Sequence, residues 1–149
     1  MDLSQHHLDQ QDVVLLIAAG ADGSFPLDPI RLMKGCFLVS QLGTAEWKTL
    51  FNFRPYDYGP FDSTVYSARD ALVAHSLLAV DWSNRYGSYS LTDRGRERVQ
   101  QLRQVVGDFA ADWFTHIGRY VTDRSFTRLL DEIYAKFPDY ATRSRYSPS

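Results

Sequence analysis

Four side chains spaced along one candidate helix, Ser63, Thr64, Ser67 and Arg69, have chemistry that is easy to name: hydroxyls and a guanidinium can hydrogen-bond base edges or phosphates in a DNA groove. Two further groups follow them. Asn84-Arg85-Tyr86 stands at the centre of a turn and can touch the DNA backbone or minor groove, while Arg94, Arg96 and Arg98, with Arg103 beyond, form the densest basic cluster of the sequence. Charge limits what they can do. The sequence carries a net charge of -2, and the candidate helix sets Arg69 against Asp62 and Asp70, so phosphate binding needs a local patch in which Arg85, Arg94, Arg96 and Arg98 compensate. A second constellation is aromatic. Tyr56, Tyr58, Phe61 and Tyr66 combine apolar area with polar tips, which suits either a surface that meets a protein partner or a turn pinned onto the core.

Catalytic and metal-binding patterns are missing. There is no metalloprotease helix, paired-cysteine site or phosphate-cradling loop, and Gly20-Ala21-Asp22-Gly23 lacks the lysine and hydroxyl residue of a P-loop. His75 and His116 have no Ser or Cys beside them in a nucleophile motif, and Asp131-Glu132 are adjacent and point apart. His6-His7 do not share a face and have no accompanying acid or thiol pattern. Cys36 is the single cysteine, so no internal disulfide can form, and it reads as packed in a core helix. The expectation is a non-enzymatic protein with no cofactor and no metal.

These residues need a frame to position them. Two prolines and a glycine in Arg54-Pro55-Tyr56-Asp57-Tyr58-Gly59-Pro60 dictate a structured turn, since each Pro lacks an N-H and restricts its predecessor. Asp62 or Ser63 then caps a helix running to Leu78, with Val65, Ala68, Leu72 and Leu78 on its buried side. Ala79 to Ser83 and Tyr86 to Leu91 flank the turn as a β-hairpin, and Thr92 or Asp93 caps the helix that follows. The order of turn, helix, hairpin and helix is that of the second half of a winged helix-turn-helix.

The rest of the chain supplies support. Asp12 to Ala19 reads as a first helix, with a buried strand as the competing reading because a short apolar run hides its period. Asp28 caps a second helix with Pro29 at its first position. Ile30, Met33, Phe37 and Leu38 make its apolar side, and Arg31 and Lys34 read as a solvated face. Ala45-Glu46-Trp47-Lys48 suggests a helical turn, and Leu50-Phe51-Asn52-Phe53 alternates like a short strand that pairs with the wing. Val99, Leu102, Val106, Phe109, Trp113, Ile117 and Tyr120 recur at steps of three and four, predicting a long helix from Asp93 to Tyr120 broken near Gly107 or Gly118. A last helix capped by Asp123 carries Phe126, Leu129, Leu130, Ile133, Tyr134 and Phe137 on one stripe and ends at Pro138. The fold class is therefore mainly α (α+β): one winged helix-turn-helix domain over residues 1–149, with a small antiparallel sheet as wing, additional C-terminal helices, and flexible tails at 1–10 and 141–149.

The run FNFRPYDYGPFDSTVY, the helix ending in Leu77-Leu78, and Tyr89-Ser90-Leu91-Thr92-Asp93-Arg94-Gly95 together resemble the YwgA-like winged-helix proteins of bacteria and the related SocA-like (Panacea) antitoxin domain. Those families show a YGPYS-type turn before the helix and a Y-x-L-T-x-x-G ending to the wing. Ile30 to Val39 and Ile133 to Tyr140 extend the likeness, whereas Phe61-Asp62 and Gly35-Cys36 depart from the pattern. The architecture points to a DNA-binding protein, a bacterial transcriptional regulator that binds double-stranded DNA. The resemblance implies as an alternative a protein-interaction module, such as an antitoxin or adaptor without direct DNA contact. Pairing of the long or last helix with its copy would make a homodimer. The apolar run Val13 to Ala19 is too short to span a bilayer, so no membrane association is expected and the cytoplasm is the expected compartment.

Overall fold

The computed structural model describes residues 7–142, so of the expected tails 1–10 and 141–149 the parts 1–6, with His6, and 143–149 lie outside the described residues. Within them the chain is mainly helical, with seven α-helices and two separate two-stranded antiparallel sheets. The packed chain begins earlier than the sequence suggested. Leu8 is buried, and Asp9 caps α1 (Gln10–Ala19) in a reciprocal box with Asp12, whose backbone N-H donates to Asp9 Oδ1 at 2.8 Å. Val13 to Ile17 are buried on every side of α1, because α2, α4, α5 and α6 all pack around it. That surrounding explains why the run shows no helical period, and it decides against the strand reading.

α2 (Pro29–Leu42) starts as expected, with Asp28 accepting from the Arg31 N-H at 2.9 Å and Pro29 in the first turn, where its missing N-H costs nothing. A single helical turn, α3 (Ala45–Lys48), follows. The expected strand at Leu50–Phe53 does not form. Phe51 and Phe53 do turn inward, with Phe53 edge-on to Phe37 at 5.3 Å, but the Asn52 N-H is taken by Asp62 Oδ2 at 2.7 Å instead of by a neighbouring strand. The segment that reaches the edge of the second hairpin is instead Leu27, whose carbonyl accepts the Tyr89 N-H at 2.9 Å.

The proline-rich turn is itself a hairpin, β1 (Arg54–Tyr56) against β2 (Gly59–Phe61), with Pro55 opposite Pro60. A two-stranded ribbon has only edges, and a facing pair of prolines fits a non-hydrogen-bonded position, so the missing N-H groups break no ladder. Residues 43–62 thus separate α2 from α4 (Ser63–Ala74), whereas a helix-turn-helix joins its pair by about 3–4 residues.

α4 is capped by Asp62 and is shorter than expected. It closes at His75, after which Ser76 takes a left-handed φ of 62°, and the N-H groups of Leu77 and Ser76 return to the carbonyls of Leu72 and Val73. This is the Schellman pattern of hydrogen bonds, made without the usual glycine, and it places Leu77 and Leu78 outside the helix. β3 (Leu78–Asp81) and β4 (Ser88–Leu91) form the second hairpin, and Thr92 caps α5 (Asp93–Val106).

The long helix divides at Gly107, whose φ of 89° no helix accommodates, into α5 and α6 (Asp108–Thr122). The Arg103 guanidinium spans the break to Asp108 at 3.2 Å and Asp112 at 2.9 Å. Asp123 ends α6 rather than capping the next helix, and Ser125 caps α7 (Phe126–Lys136). Pro138 opens a short 3-10 turn to Ala141. The apolar stripes of α6 and α7 close the core of this chain: Phe114, Ile117, Val121, Leu129, Leu130 and Ile133 are all buried. Phe109, 91 % exposed, is the member of the stripe left outside.

Candidate functional site

α4 presents Ser63, Thr64 and Ser67 to solvent, but Thr64 is already engaged. Its hydroxyl donates to Asp62 Oδ1 at 2.7 Å and accepts from Gln10 Nε2 at 2.9 Å, tying α4 to the start of α1. Arg69 is turned away from any groove. Its guanidinium donates to the Tyr89 hydroxyl at 2.8 Å and to Asp70 Oδ1 at 2.8 Å, and lies 4.5 Å from the Tyr66 ring centroid. Arg69 therefore works as a clamp that binds α4 to the β3–β4 hairpin. We expect Arg69→Ala to lower the unfolding free energy by about 1–2 kcal/mol, read from urea melts, through the lost cation–π and charge-assisted contacts. An unchanged melt would contradict the clamp.

The basic cluster is largely spent inside the molecule. Arg96 pairs with Asp93 and donates to the Leu91 carbonyl at 3.0 Å. Arg98 reaches Asp12, buried on α1, at 3.4 Å, and burial raises the pKa of that carboxyl. Arg85 and Arg94 are exposed. The Arg85 guanidinium lies 5.2 Å from the ring centroid of Tyr86, and Asn84 donates to the Ser88 hydroxyl at 2.9 Å inside the hairpin loop. The exposed candidates Ser63, Ser67, Arg85, Tyr86 and Arg94 are thus spread over α4, the loop and the start of α5, and Arg69 does not join them.

The loop holds a residue that sequence reasoning passed over. Trp82 follows β3 directly and is 73 % exposed, beside Tyr86 at 65 %. The expected first strand of the hairpin, Ala79 to Ser83, included it. β3 ends at Asp81, whose carboxylate accepts the Ser83 N-H at 2.9 Å, so Trp82 already belongs to the turn.

The aromatic turn divides between the two roles foreseen for it. Phe61 and Tyr66 are half-buried and meet edge to face at 5.8 Å, and burial pushes the Tyr66 phenol up to about 12. Tyr56 stacks on Phe61 at 5.0 Å and Tyr58 leans on Phe126 at 5.9 Å, yet both keep an exposed side. Between these rings and α2 lies a cavity of about 250 Å³.

Arg31 and Lys34 correct the expected solvated face of α2, since both are buried. Arg31 is fully engaged: Asp28 Oδ2 lies 2.6 Å away, and the Arg124 carbonyl accepts two further bonds. Lys34 has little. Among the described residues its ammonium makes one hydrogen bond, to the Pro60 carbonyl at 3.3 Å, and burial pulls its pKa down to about 7. The signal was present, because Lys34 is four residues from both Ile30 and Leu38, on the side that faces the protein.

Among the described residues no group of three His, Cys, Asp or Glu could hold a metal ion, and no helix is long and apolar enough to cross a membrane. His75 and His116 are exposed, and Cys36 is buried as expected. Glu132 is held between Arg124 and Arg128. No family model matches the chain, and neither does any curated protein or solved structure.

Proposed function

We propose that this chain is a winged-helix module that docks a protein partner through the tip of its β3–β4 wing. The observation that carries this reading is the exposed trio Trp82, Arg85 and Tyr86 on one short loop. Trp, Tyr and Arg are the residue types that dominate binding energy at protein interfaces, and a hairpin tip presents them at low entropic cost. Such a module acts as an adaptor or, following the resemblance to the SocA-like domain, as the neutralising half of a toxin–antitoxin pair. DNA binding is the second reading. It is favoured by the exposure of Arg85 in the wing and Arg94 just beyond it, and disfavoured by an α4 whose one cation is paired.

One pair of measurements separates the two. Fluorescence anisotropy with mixed double-stranded DNA across a salt series is expected to show weak binding, little changed in an Arg85→Ala/Arg94→Ala variant. In a lysate of the source organism, the wild-type chain is expected to retain a protein that a Trp82→Ala/Tyr86→Ala variant loses, with hot-spot truncations costing at least tenfold in affinity. Tight low-salt DNA binding that falls steeply with salt and weakens in the arginine variant would replace this reading with the DNA one.

A further inference from the structure

Lys34 is an unusual residue to leave in an interior. It is 3 % exposed, its one hydrogen bond leaves two N-H donors of an ammonium without an acceptor among the described residues, and no carboxylate there pairs with it. Buried charges are ordinarily paired or bonded on every donor, because an unsatisfied one costs several kcal/mol. Something other than stability has to account for it.

The surroundings supply the reason. Lys34 lines the cavity of about 250 Å³ together with Ile30 and Met33 of α2, Tyr56 to Gly59 and Phe61 of the β1–β2 hairpin, and Tyr66 of α4. Gly59, with φ of 98°, lets the hairpin backbone lie directly on the lysine: a Cβ there would stand 3.2 Å from Lys34 Cε. The walls are mostly rings and aliphatic groups, with Asp57 the one acidic residue among them; the mouth is framed by the half-exposed Tyr56 and Tyr58, and one cation sits within. The size lies below the roughly 300 Å³ at which drug-sized pockets begin, so the occupant is small.

We propose that this cavity binds a small aromatic monocarboxylate, with the carboxylate on Lys34 Nζ and the ring among Tyr56, Phe61 and Tyr66. One charge matches one ammonium. A phosphate dianion would bring a surplus charge into a cavity whose described lining holds one cation, Lys34, and no second to receive it. The site lies on the α2–hairpin side of α4 and does not depend on how the wing is used.

The same geometry sets a pH signature. The ionisable groups facing the ammonium are Asp57, Tyr56, Tyr58 and Tyr66 in the cavity and Tyr134 beyond Gly59, and burial alone accounts for the depressed lysine. A bound carboxylate favours the charged form and so draws a proton onto Nζ. Binding above neutral pH is then accompanied by proton uptake, about one proton per ligand at pH 8 and almost none at pH 6.

Calorimetry with benzoate, benzyl alcohol and inorganic phosphate tests this, repeated at pH 8 in buffers of different ionisation enthalpy. Benzoate is expected to bind at least tenfold more tightly than benzyl alcohol, phosphate not measurably, and Lys34→Met to abolish the preference for benzoate. Equal binding of benzoate and benzyl alcohol, an unaffected variant, no binding of either ring, or benzoate binding without proton uptake would each overturn the proposal. The proton count uses the wild-type chain, so it stands whether or not the variant folds.

Discussion

Lys34→Met is expected to make the protein more stable at neutral pH and to flatten its stability between about pH 7 and pH 8.5. Methionine keeps the length and flexibility of the side chain and removes the charge, which at this position is buried and bonded to a single carbonyl. The lysine is protonated below about 10.5 in the unfolded chain but only below about 7 in the fold, a gap worth on the order of 4–5 kcal/mol. Between those values the unfolded chain holds the extra proton, so the stability of the wild type rises with pH across that window. Below about 7 both states are charged and the full penalty applies. The Cys36 thiol and the phenols of Tyr66 and Tyr120, all pushed up by burial, act the other way, the thiol from about pH 9 and the phenols from about pH 10, where their unfolded counterparts ionise first. Urea melts from pH 6 to pH 8.5 should therefore show a rise of about 2 kcal/mol in the wild type and little slope in the variant. A wild type whose stability stays level or falls over this range would mean that water or another group relieves the ammonium.

Local rules carried the element map a long way. Asp28-Pro29, Asp62 and Thr92 each cap the helix that the sequence assigned to them, because a cap is a contact between residues two or three apart. Gly107 likewise breaks the long helix where its backbone freedom allowed. The errors came from contacts that no local window contains. Leu27 rather than Leu50–Phe53 bonds to the β3–β4 hairpin, and Ser76 closes α4 with a motif usually signalled by glycine. The candidate site suffered most for the same reason. Whether an arginine is available depends on its carboxylate partner, and Arg98 finds Asp12 at a separation of 86 residues. Arg69 finds Tyr89 across 20. Two arginines thus act, in space, as clamps: Arg98 between α5 and α1, and Arg69 between α4 and the β3–β4 hairpin.

A pair of glycine substitutions tests the packing on which this arrangement rests, and the two are expected to differ in sign. Gly35 and Gly118 both sit inside helices, where replacing Gly by Ala ordinarily gains about 1 kcal/mol. At Gly35 a Cβ would meet the Ile17 side chain at 3.4 Å, an ordinary contact, so Gly35→Ala should stabilise or be neutral. At Gly118 it would fall 2.0 Å from the Ile17 carbonyl oxygen and 3.1 Å from the Gly20 carbonyl carbon, both fixed backbone atoms. Gly20 faces the same crossing from the other side, where its own Cβ would stand 1.8 Å from the Thr115 carbonyl. α1 and α6 thus touch backbone to backbone, and no side-chain rotation can make room. Gly118→Ala must push the helices apart along the centre of the core, which should cost about 3 kcal/mol or more despite the gain in helix propensity. Denaturant melts of the two variants beside the wild type give the answer. If Gly118→Ala were as stable as Gly35→Ala, α1 and α6 would have to lie further apart than the Ile17–Gly118 and Gly20–Thr115 approaches place them.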